Sequence, residues 1–191
     1  MPAAATAARP VLAGKRWTAT GVSLVIHPQN PFVPTTHMNV RLFMAWDDQS
    51  ILWWFGGGFD LTPYYPFDED IVHWHQVAHR VCAPYGDEVY PRYKKWCDEY
   101  FYIKHRKESR GVGGIFYDRH DSGDWEKDFA FTKDVGLAFL DAYPRLVAGR
   151  MNAPWMEEER EEQLRRLQED AAQSSEALVQ VRRMIQTRSD A

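Results

Sequence analysis

Polar and apolar side chains alternate between residues 37 and 46. Because successive side chains of a strand point to opposite faces, His37, Asn39 and Arg41 would share one face with Phe43. An imidazole can carry protons, an amide can donate and accept hydrogen bonds, and a guanidinium can clamp a carboxylate. The other face would hold Met38, Val40, Leu42, Met44 and Trp46, which is a plain core pattern. A solvated outer face would show the same alternation, so this pattern alone leaves a functional and a structural interpretation open.

A shorter β-branched run at residues 21–27 precedes this segment and stops at Pro28, which predicts a strand. By the same period of two, Ser23 and His27 would share a face of that strand.

Three consecutive glycines, Gly56 to Gly58, follow a third candidate strand, Ile51–Phe55. Glycines lose much conformational entropy on ordering, so their use predicts positive φ or a close approach of the backbone to a ligand. Neither a phosphate-loop ending nor G-x-G-x-x-G spacing is present. Asp60, two residues later, is typical of a turn residue that bonds its own backbone, and a functional carboxylate is the alternative.

A helix is predicted from Asp68, where three acidic residues suit the positive end of the helix dipole, to the Pro84-Tyr85-Gly86 break. His75 falls within its apolar stripe and His79 at the margin. The two are four residues apart, as metal-binding histidines of a helix can be, but no Glu follows His75. The sequence therefore excludes an H-E-x-x-H metalloprotease.

Further helices are predicted from about Asp87 to Ser109 and from about Asp124, with Pro144 near the end of the latter. A short strand is predicted at Ile115–Asp118 between them. Strands and helices without a regular βαβ order predict an α+β fold, with an antiparallel β-sheet flanked by α-helices.

Residues 151–191 read as a charged amphipathic helical extension of a domain formed by residues 1–150. Its apolar or small residues recur at steps of three and four: Leu164, Leu167, Ala171, Ser174, Leu178, Val181 and Ile185. The spacing predicts a helix from about Pro154 to Gln186 with a heptad seam. Ala171 and Ser174 weaken that seam, so packing on its own domain is an alternative to self-association.

The chain has 191 residues, of which 45% are hydrophobic and 26% charged, so we expect one ordinary folded domain and exclude a disordered chain. No stretch approaches the roughly 20 apolar residues that span a bilayer. The two cysteines fit neither a disulfide-rich scaffold nor a four-cysteine zinc site. With no secretory signal at the N-terminus, which we read as mature chain, a cytoplasmic location is expected.

The formal net charge of -4 argues against a strongly basic nucleic-acid binder. No acidic residue precedes Asp47, whereas Arg9, Lys15, Arg16 and Arg41 do, so this part of the chain suits an anionic ligand. Aromatic residues make up 14% of the chain, which is typical of a large core or, alternatively, of a site for a flat aromatic ligand.

Several long and unusual motifs occur in an order that resembles the oxygen-dependent coproporphyrinogen III oxidases. They are residues 21–31, His37–Arg41, Trp53–Pro63, Tyr90–Phe101, His105–Arg106 and Gly111–Asp118. The similarity extends from near the N-terminus to about Arg150.

The resemblance implies an enzyme of haem biosynthesis that oxidatively decarboxylates two propionates of coproporphyrinogen III to vinyl groups, giving protoporphyrinogen IX. It implies O₂ as the co-substrate, no organic cofactor, and a homodimer. The family fold, a large antiparallel sheet flanked by helices, agrees with the fold predicted above.

Carried over residue by residue, the resemblance gives His37 as the proton donor and Asp60 as the carboxylate that engages the pyrrole nitrogens. It gives Ser23, Asn39, Val40 and Arg41 as substrate-binding residues. In bacterial relatives the positions matching His27, His37, His75 and His105 are treated as ligands of a divalent metal ion, so a bound metal is a further expectation.

Two departures from the family pattern are expected to matter. The chain begins inside that pattern, and we expect it to lack the C-terminal Arg-Gly-Arg-Tyr-Val-Glu-Phe-Asn strand and the Gly-Gly-Arg loop. The alternative to an active enzyme is therefore a catalytically inactive relative that binds only tetrapyrrole or a partner subunit. A metal-dependent hydrolase is a more distant alternative.

Overall fold

The computed structural model of the chain describes residues 7, 9–169 and 172. Its strands are β1 (Arg16–Ile26), β2 (Thr35–Trp46), β3 (Ile51–Thr62), β4 (Tyr102–Ile103), β5 (Glu108–Ser109) and β6 (Gly113–His120). Its helices are α1 (Asp68–Cys82), α2 (Val89–Tyr100), α3 (Trp125–Arg150) and α4 (157–169), with short 3₁₀ turns at Pro10–Leu12 and Ala83–Tyr85.

An antiparallel sheet in the order β1-β2-β3-β6 forms the centre of the fold, and β4 and β5 form a small separate hairpin. Helices α1 and α3 pack together on one face of the sheet, and α2 packs against β6. The predicted α+β fold, with an antiparallel sheet, flanking helices and a C-terminal helix, is confirmed.

The core lies between the sheet and helices α1 and α3. It includes Met38, Phe59, Leu61, Trp74, Ala78, Ile115, Phe131, Val135, Phe139 and Leu146. The indole of Trp74 meets the ring of Phe59 edge-on with centroids 5.0 Å apart, and its Nε1 donates to the carbonyl of Gly113 at 3.1 Å. The indole of Trp74 therefore connects α1 to both β3 and β6.

The side chains of β2 alternate as the sequence predicts. Met38 is buried in the core, and Val40 and Leu42 pack against it. His37, Asn39 and Arg41 lie on the opposite face of the sheet, away from α1 and α3. Thus one face of β2 is core, and the other is available for chemistry.

The glycine tract lies inside a strand, so the predicted strand end at Phe55 is wrong. Strand β3 continues through Gly56, Gly57 and Gly58 to Thr62, and Asp60 is a strand residue rather than a turn residue. All three glycines pair with β2, and Gly57 and Gly58 also pair with β6, whereas the register with β6 is irregular at Gly56; local propensity alone does not predict this pairing. Gly58 has φ 139°, and a Cβ there would lie 2.1 Å from the carbonyl oxygen of Ile115.

Helix α2 ends at Tyr100, nine residues before the predicted end at Ser109. The chain then forms the β4–β5 hairpin, whose turn includes Lys107 at φ 54°, a left-handed conformation that a helix cannot contain. The ring of Tyr100 stacks on Phe116 of β6 with centroids 4.2 Å apart, which holds the end of α2 against the sheet. The hairpin brings Arg110 towards the end of β3.

Helix α4 packs on the rest of the described chain. Gln163 is fully buried and donates to the carbonyl of Pro28 at 3.1 Å, while Arg106 donates to the carbonyl of Arg166 at 3.1 Å. The described part of the predicted extension therefore makes intrachain contacts. The seam residues Ala171, Ser174, Leu178, Val181 and Ile185 lie outside the described residues. A domain boundary at residue 150 and self-association through the seam stay predictions.

Among residues 9–169, none of the helices combines the length and the apolar character that a membrane span requires.

Candidate functional site

A cavity of about 540 Å³ lies on the face of the sheet opposite α1 and α3. Ser23 of β1 faces Asn39 of β2 in the register, and Asn39 in turn faces Gly58 of β3. Because directly paired residues share a face, Ser23 and Asn39 meet at the same part of this cavity, with Arg41 one step further along β2.

Arg41 crosses the neighbouring strand to reach β6. Its Nη1 donates to Oδ1 of Asn39, and its Nη2 donates to Oδ1 of Asp118 at 2.9 Å. The guanidinium passes over Gly56, where a Cβ would lie 2.6 Å from the guanidinium carbon. Because Gly56 has no side chain, the arginine side chain has room to lie over it.

Asp60 is a buried carboxylate beside two basic groups. Its side chain is 3% exposed, and its Oδ2 accepts hydrogen bonds from Nε of Arg110 and lies 2.8 Å from the Nη2 of the same guanidinium. Its Oδ1 lies 3.2 Å from Nδ1 of His37, its register partner on β2. That nitrogen is buried and makes no hydrogen bond of good geometry with the described residues, so the nearby Asp60 carboxylate is its closest polar neighbour of opposite charge.

Arg110 is a functional candidate that the sequence analysis does not identify. The sequence predicts a helix up to Ser109, whereas the structure has a hairpin there that ends just before Arg110. In the structure its guanidinium lies 3.7 Å from the centroid of the Phe101 ring, and the next residue, Gly111, has φ 58°. A side chain on Gly111 would meet the carbonyl of Leu61 at 2.2 Å, so the hairpin passes close to the end of β3.

A second cavity, of about 480 Å³, adjoins the first and shares His37, Tyr100, Phe101 and Arg110 with it. Its walls also include His27, Thr35, Tyr64, His105 and Leu167 of α4. The rings of His27 and His37 meet edge-on with centroids 6.1 Å apart. Burial, and secondarily the neighbouring His37, lower the pKa of His27 below its ordinary value, which favours the neutral imidazole.

Aromatic rings flank the polar centre. Phe43 stacks on Trp54 with centroids 4.1 Å apart, beside Arg41, and Arg9 lies 4.7 Å over the Trp54 ring. On the other side, Phe116 carries the stacked ring of Tyr100. Apolar walls around an arginine and a buried carboxylate can hold a large apolar ligand with anionic substituents.

The family model for coproporphyrinogen III oxidase matches residues 1–169. The chain belongs to the coproporphyrinogen III oxidase family. This is an oxidoreductase family of porphyrin biosynthesis whose members act on coproporphyrinogen III. The match runs past Arg150 and includes helix α4.

The predicted substrate-binding residues of this family member are brought together, except for one side chain. Ser23, Asn39 and Arg41 line the larger cavity. The side chain of Val40 lies on the other face of β2, against the core and 3.6 Å from the position a Cβ would take on Gly136. Only the main chain of Val40 runs along the site face.

The predicted metal-binding histidines are not assembled into one group. His27, His37 and His105 line the smaller cavity. His75 lies on α1, where its side chain faces α2 and the residue before β6. Its Nε2 lies 3.0 Å from the carbonyl of Val112 and its Nδ1 3.0 Å from the hydroxyl of Tyr90. Both ring nitrogens are thus engaged.

Among the described residues, no three His, Cys, Asp or Glu side chains come together in a group that could hold a metal ion. The residues present therefore do not fit the four-histidine ligand set that the resemblance implies, because both ring nitrogens of His75 already contact Val112 and Tyr90. A bound metal stays a prediction of the resemblance, and no step below depends on it.

Proposed function

We propose that this chain catalyses the O₂-dependent oxidative decarboxylation of two propionates of coproporphyrinogen III to vinyl groups, giving protoporphyrinogen IX in haem biosynthesis. Membership of the family supports the substrate and the class of reaction. The observation that carries the proposal is the buried Asp60 carboxylate 3.2 Å from His37, on the same face as Arg41.

The substrate is a large, mostly apolar macrocycle with four carboxylates. Arg41 uses two of its five N–H donors on Asn39 and Asp118, so three are available to a propionate. The aromatic walls of Phe43, Trp54 and Phe116 suit the macrocycle, and no acidic residue precedes Asp47 to repel its carboxylates.

Asp60 and His37 have complementary roles in the proposal. The carboxylate of Asp60 holds pyrrole N–H groups and accepts a proton as the ring system gives up its electrons. The His37 imidazole, whose Nδ1 faces that carboxylate and whose side chain is 26% exposed, transfers protons to reduced oxygen.

The proposed reaction balances without an organic cofactor. Each propionate loses CO₂ and one hydrogen from its β-carbon, forming the vinyl double bond and releasing two electrons. Those electrons and two protons reduce one O₂ to hydrogen peroxide. Two such steps convert coproporphyrinogen III into protoporphyrinogen IX. A homodimer completes the proposal on the strength of the resemblance, and the cytoplasmic location stays a prediction from the sequence.

The experiment is turnover by the purified chain. Coproporphyrinogen mixed with the protein under anaerobic conditions and then exposed to O₂ should give protoporphyrinogen and CO₂ faster than the protein-free background. Tight binding of the tetrapyrrole without release of CO₂ would favour the catalytically inactive alternative. Turnover at the same rate without O₂ would contradict the role of oxygen.

A further inference from the structure

We infer that Arg110 is a positioning residue that fixes the Asp60 carboxylate in its catalytic orientation. The inference rests on the proposed function, in which Asp60 contacts the substrate. Its basis is the arrangement of both nitrogens of one edge of the Arg110 guanidinium around a single carboxylate oxygen.

The contact divides the two oxygens of Asp60 between two tasks. Nε and Nη2 of Arg110 both lie 2.8 Å from Oδ2. Oδ1 is left on the side of His37, 3.2 Å from its Nδ1. Rotation of the carboxylate would break both contacts to Oδ2, so Arg110 holds Oδ1 towards the imidazole of His37.

The main chain on both sides of this contact is fixed as well. The hydroxyl of Thr36 donates to the carbonyl of Asp60 at 2.8 Å, and the amide of Val112 donates to the carbonyl of Leu61 at 3.0 Å. The guanidinium rests 3.7 Å from the centroid of the Phe101 ring. The Arg110 side chain is therefore held between Asp60 and Phe101, and it is only 25% exposed.

The identity of the cation matters because the carboxylate is nearly inaccessible to water. A buried negative charge without a partner is costly, and an ammonium cannot place two donors on one oxygen in the plane of the carboxylate. The neighbouring Arg41 is already bonded to Asp118 and Asn39. Arg110 is thus the arginine whose loss would release the Asp60 side chain.

A different role for Arg110 is direct binding of a substrate carboxylate, because the residue borders both cavities. The two roles predict different kinetics. A positioning residue acts only through Asp60, so its removal lowers kcat and has no further effect once Asp60 is replaced. Removal of a binding residue instead raises KM, and it weakens substrate binding whether or not Asp60 is present.

The experiment combines steady-state turnover of Arg110→Gln with anaerobic binding of coproporphyrinogen by Asp60→Asn and by the double variant. We expect R110Q to lower kcat by roughly a hundredfold with KM nearly unchanged, R110K to recover only part of the loss, and the double variant to bind coproporphyrinogen as tightly as D60N does. Arg80→Gln, which removes an exposed arginine paired with Asp141 at 3.7 Å, is the control and should leave kcat unchanged. A rise in KM as the main effect of R110Q, or weaker binding of coproporphyrinogen by the double variant than by D60N, would overturn the inference.

The unaltered chain, R110Q, D60N and the double variant are also compared in thermal unfolding, which needs no substrate. We expect R110Q to lower Tm and D60N to restore much of it in the double variant, since the buried charge then disappears. If the unaltered chain shows no turnover, the proposed function fails, while the coupling in Tm still decides whether the two residues act as a pair. Additive changes in Tm would overturn the inference independently of any activity.

Discussion

Arg41 and Asp118 are hydrogen-bonded at 2.9 Å although a whole strand, β3, lies between the strands that carry them. The side chain of Arg41 reaches β6 because it crosses β3 at Gly56, where no Cβ stands in its way. Gly56 thus makes room for the side chain of Arg41, the residue proposed to bind a propionate. The position of Arg41 therefore depends on a glycine that has no contact with the substrate in the proposal.

We predict that Gly56→Ala weakens substrate binding with little loss of stability. The added Cβ would overlap the mobile end of Arg41, which can move aside, rather than fixed backbone. Displacement of the guanidinium breaks its bond to Asp118, so KM for coproporphyrinogen should rise by roughly tenfold while Tm changes little. Steady-state kinetics and thermal unfolding of the same preparation provide the measurement.

Gly58→Ala is the matched comparison in the same strand. Here the new Cβ would lie 2.1 Å from the carbonyl oxygen of Ile115, and Gly58 has φ 139°, so both the contact and the backbone conformation are unfavourable. A large drop in Tm or failure to fold is expected. Equal stability of the two alanine variants would contradict the structure of β3.

The sequence predicts the structure best where the periodicity of neighbouring residues determines which side chains share a face. The alternation of His37, Asn39 and Arg41 with apolar residues correctly predicts which face of β2 carries polar groups, because a strand has a period of two. The tract Gly56–Gly58 misleads, since only pairing with strands on both sides makes it a strand interior. That pairing is a tertiary effect with no local signal.

Arg110 shows the same limit within the candidate site. The apolar spacing before it continues a helical pattern, but α2 ends at Tyr100, which stacks on the distant Phe116, and the chain then forms the β4–β5 hairpin. His75 is the opposite case. Its place in the apolar stripe of α1 predicts burial, but not that Val112 and Tyr90 would occupy its two ring nitrogens.

We predict that Arg41→Lys lowers affinity for coproporphyrinogen by roughly tenfold, equivalent to about 1.4 kcal/mol. An ammonium keeps the charge but cannot donate from a planar fork to Asn39, Asp118 and a carboxylate together. Equilibrium binding under anaerobic conditions measures the effect. Arg16→Lys, at an exposed end of β1, is the control, and an equal loss in that variant would point to general charge effects.

We predict that Asp60→Asn abolishes turnover while substrate binding is largely retained. The amide has the size of the carboxylate and can still accept a bond from Arg110, but it is neither a base nor an anionic partner for pyrrole N–H groups. Single-turnover CO₂ release and anaerobic binding separate the two properties. Asp87→Asn, an exposed replacement of the same type, should be fully active, and wild-type rates in D60N would remove Asp60 from the mechanism.

We predict that Gln163→Ala destabilises the fold by about 1–3 kcal/mol. The Gln163 side chain is fully buried, donates to the carbonyl of Pro28 and accepts from Arg160, so its removal leaves buried polar groups with fewer partners. Chemical denaturation measures the change. Gln168→Ala in the same helix is exposed and should cost little, and equal effects of the two replacements would show that α4 does not dock through Gln163.

The last prediction concerns pH. Burial lowers the pKa of His75 below its ordinary value of about 6.5, so the unfolded chain takes up a proton at this residue more readily than the folded chain does. The free energy of unfolding should therefore fall as pH is lowered through about 6.5 and stop falling once the folded-state pKa is passed.

His75→Gln tests that assignment, because the amide can still donate to Val112 but does not titrate. We expect H75Q to flatten part of the fall in unfolding free energy between about pH 7.5 and 5. The remaining slope is expected because burial also lowers the pKa values of His27, His73 and His120. The exposed His79 on the same helix supplies the control, and a slope that H75Q and H79Q change equally would show that His75 is not the buried titrating group.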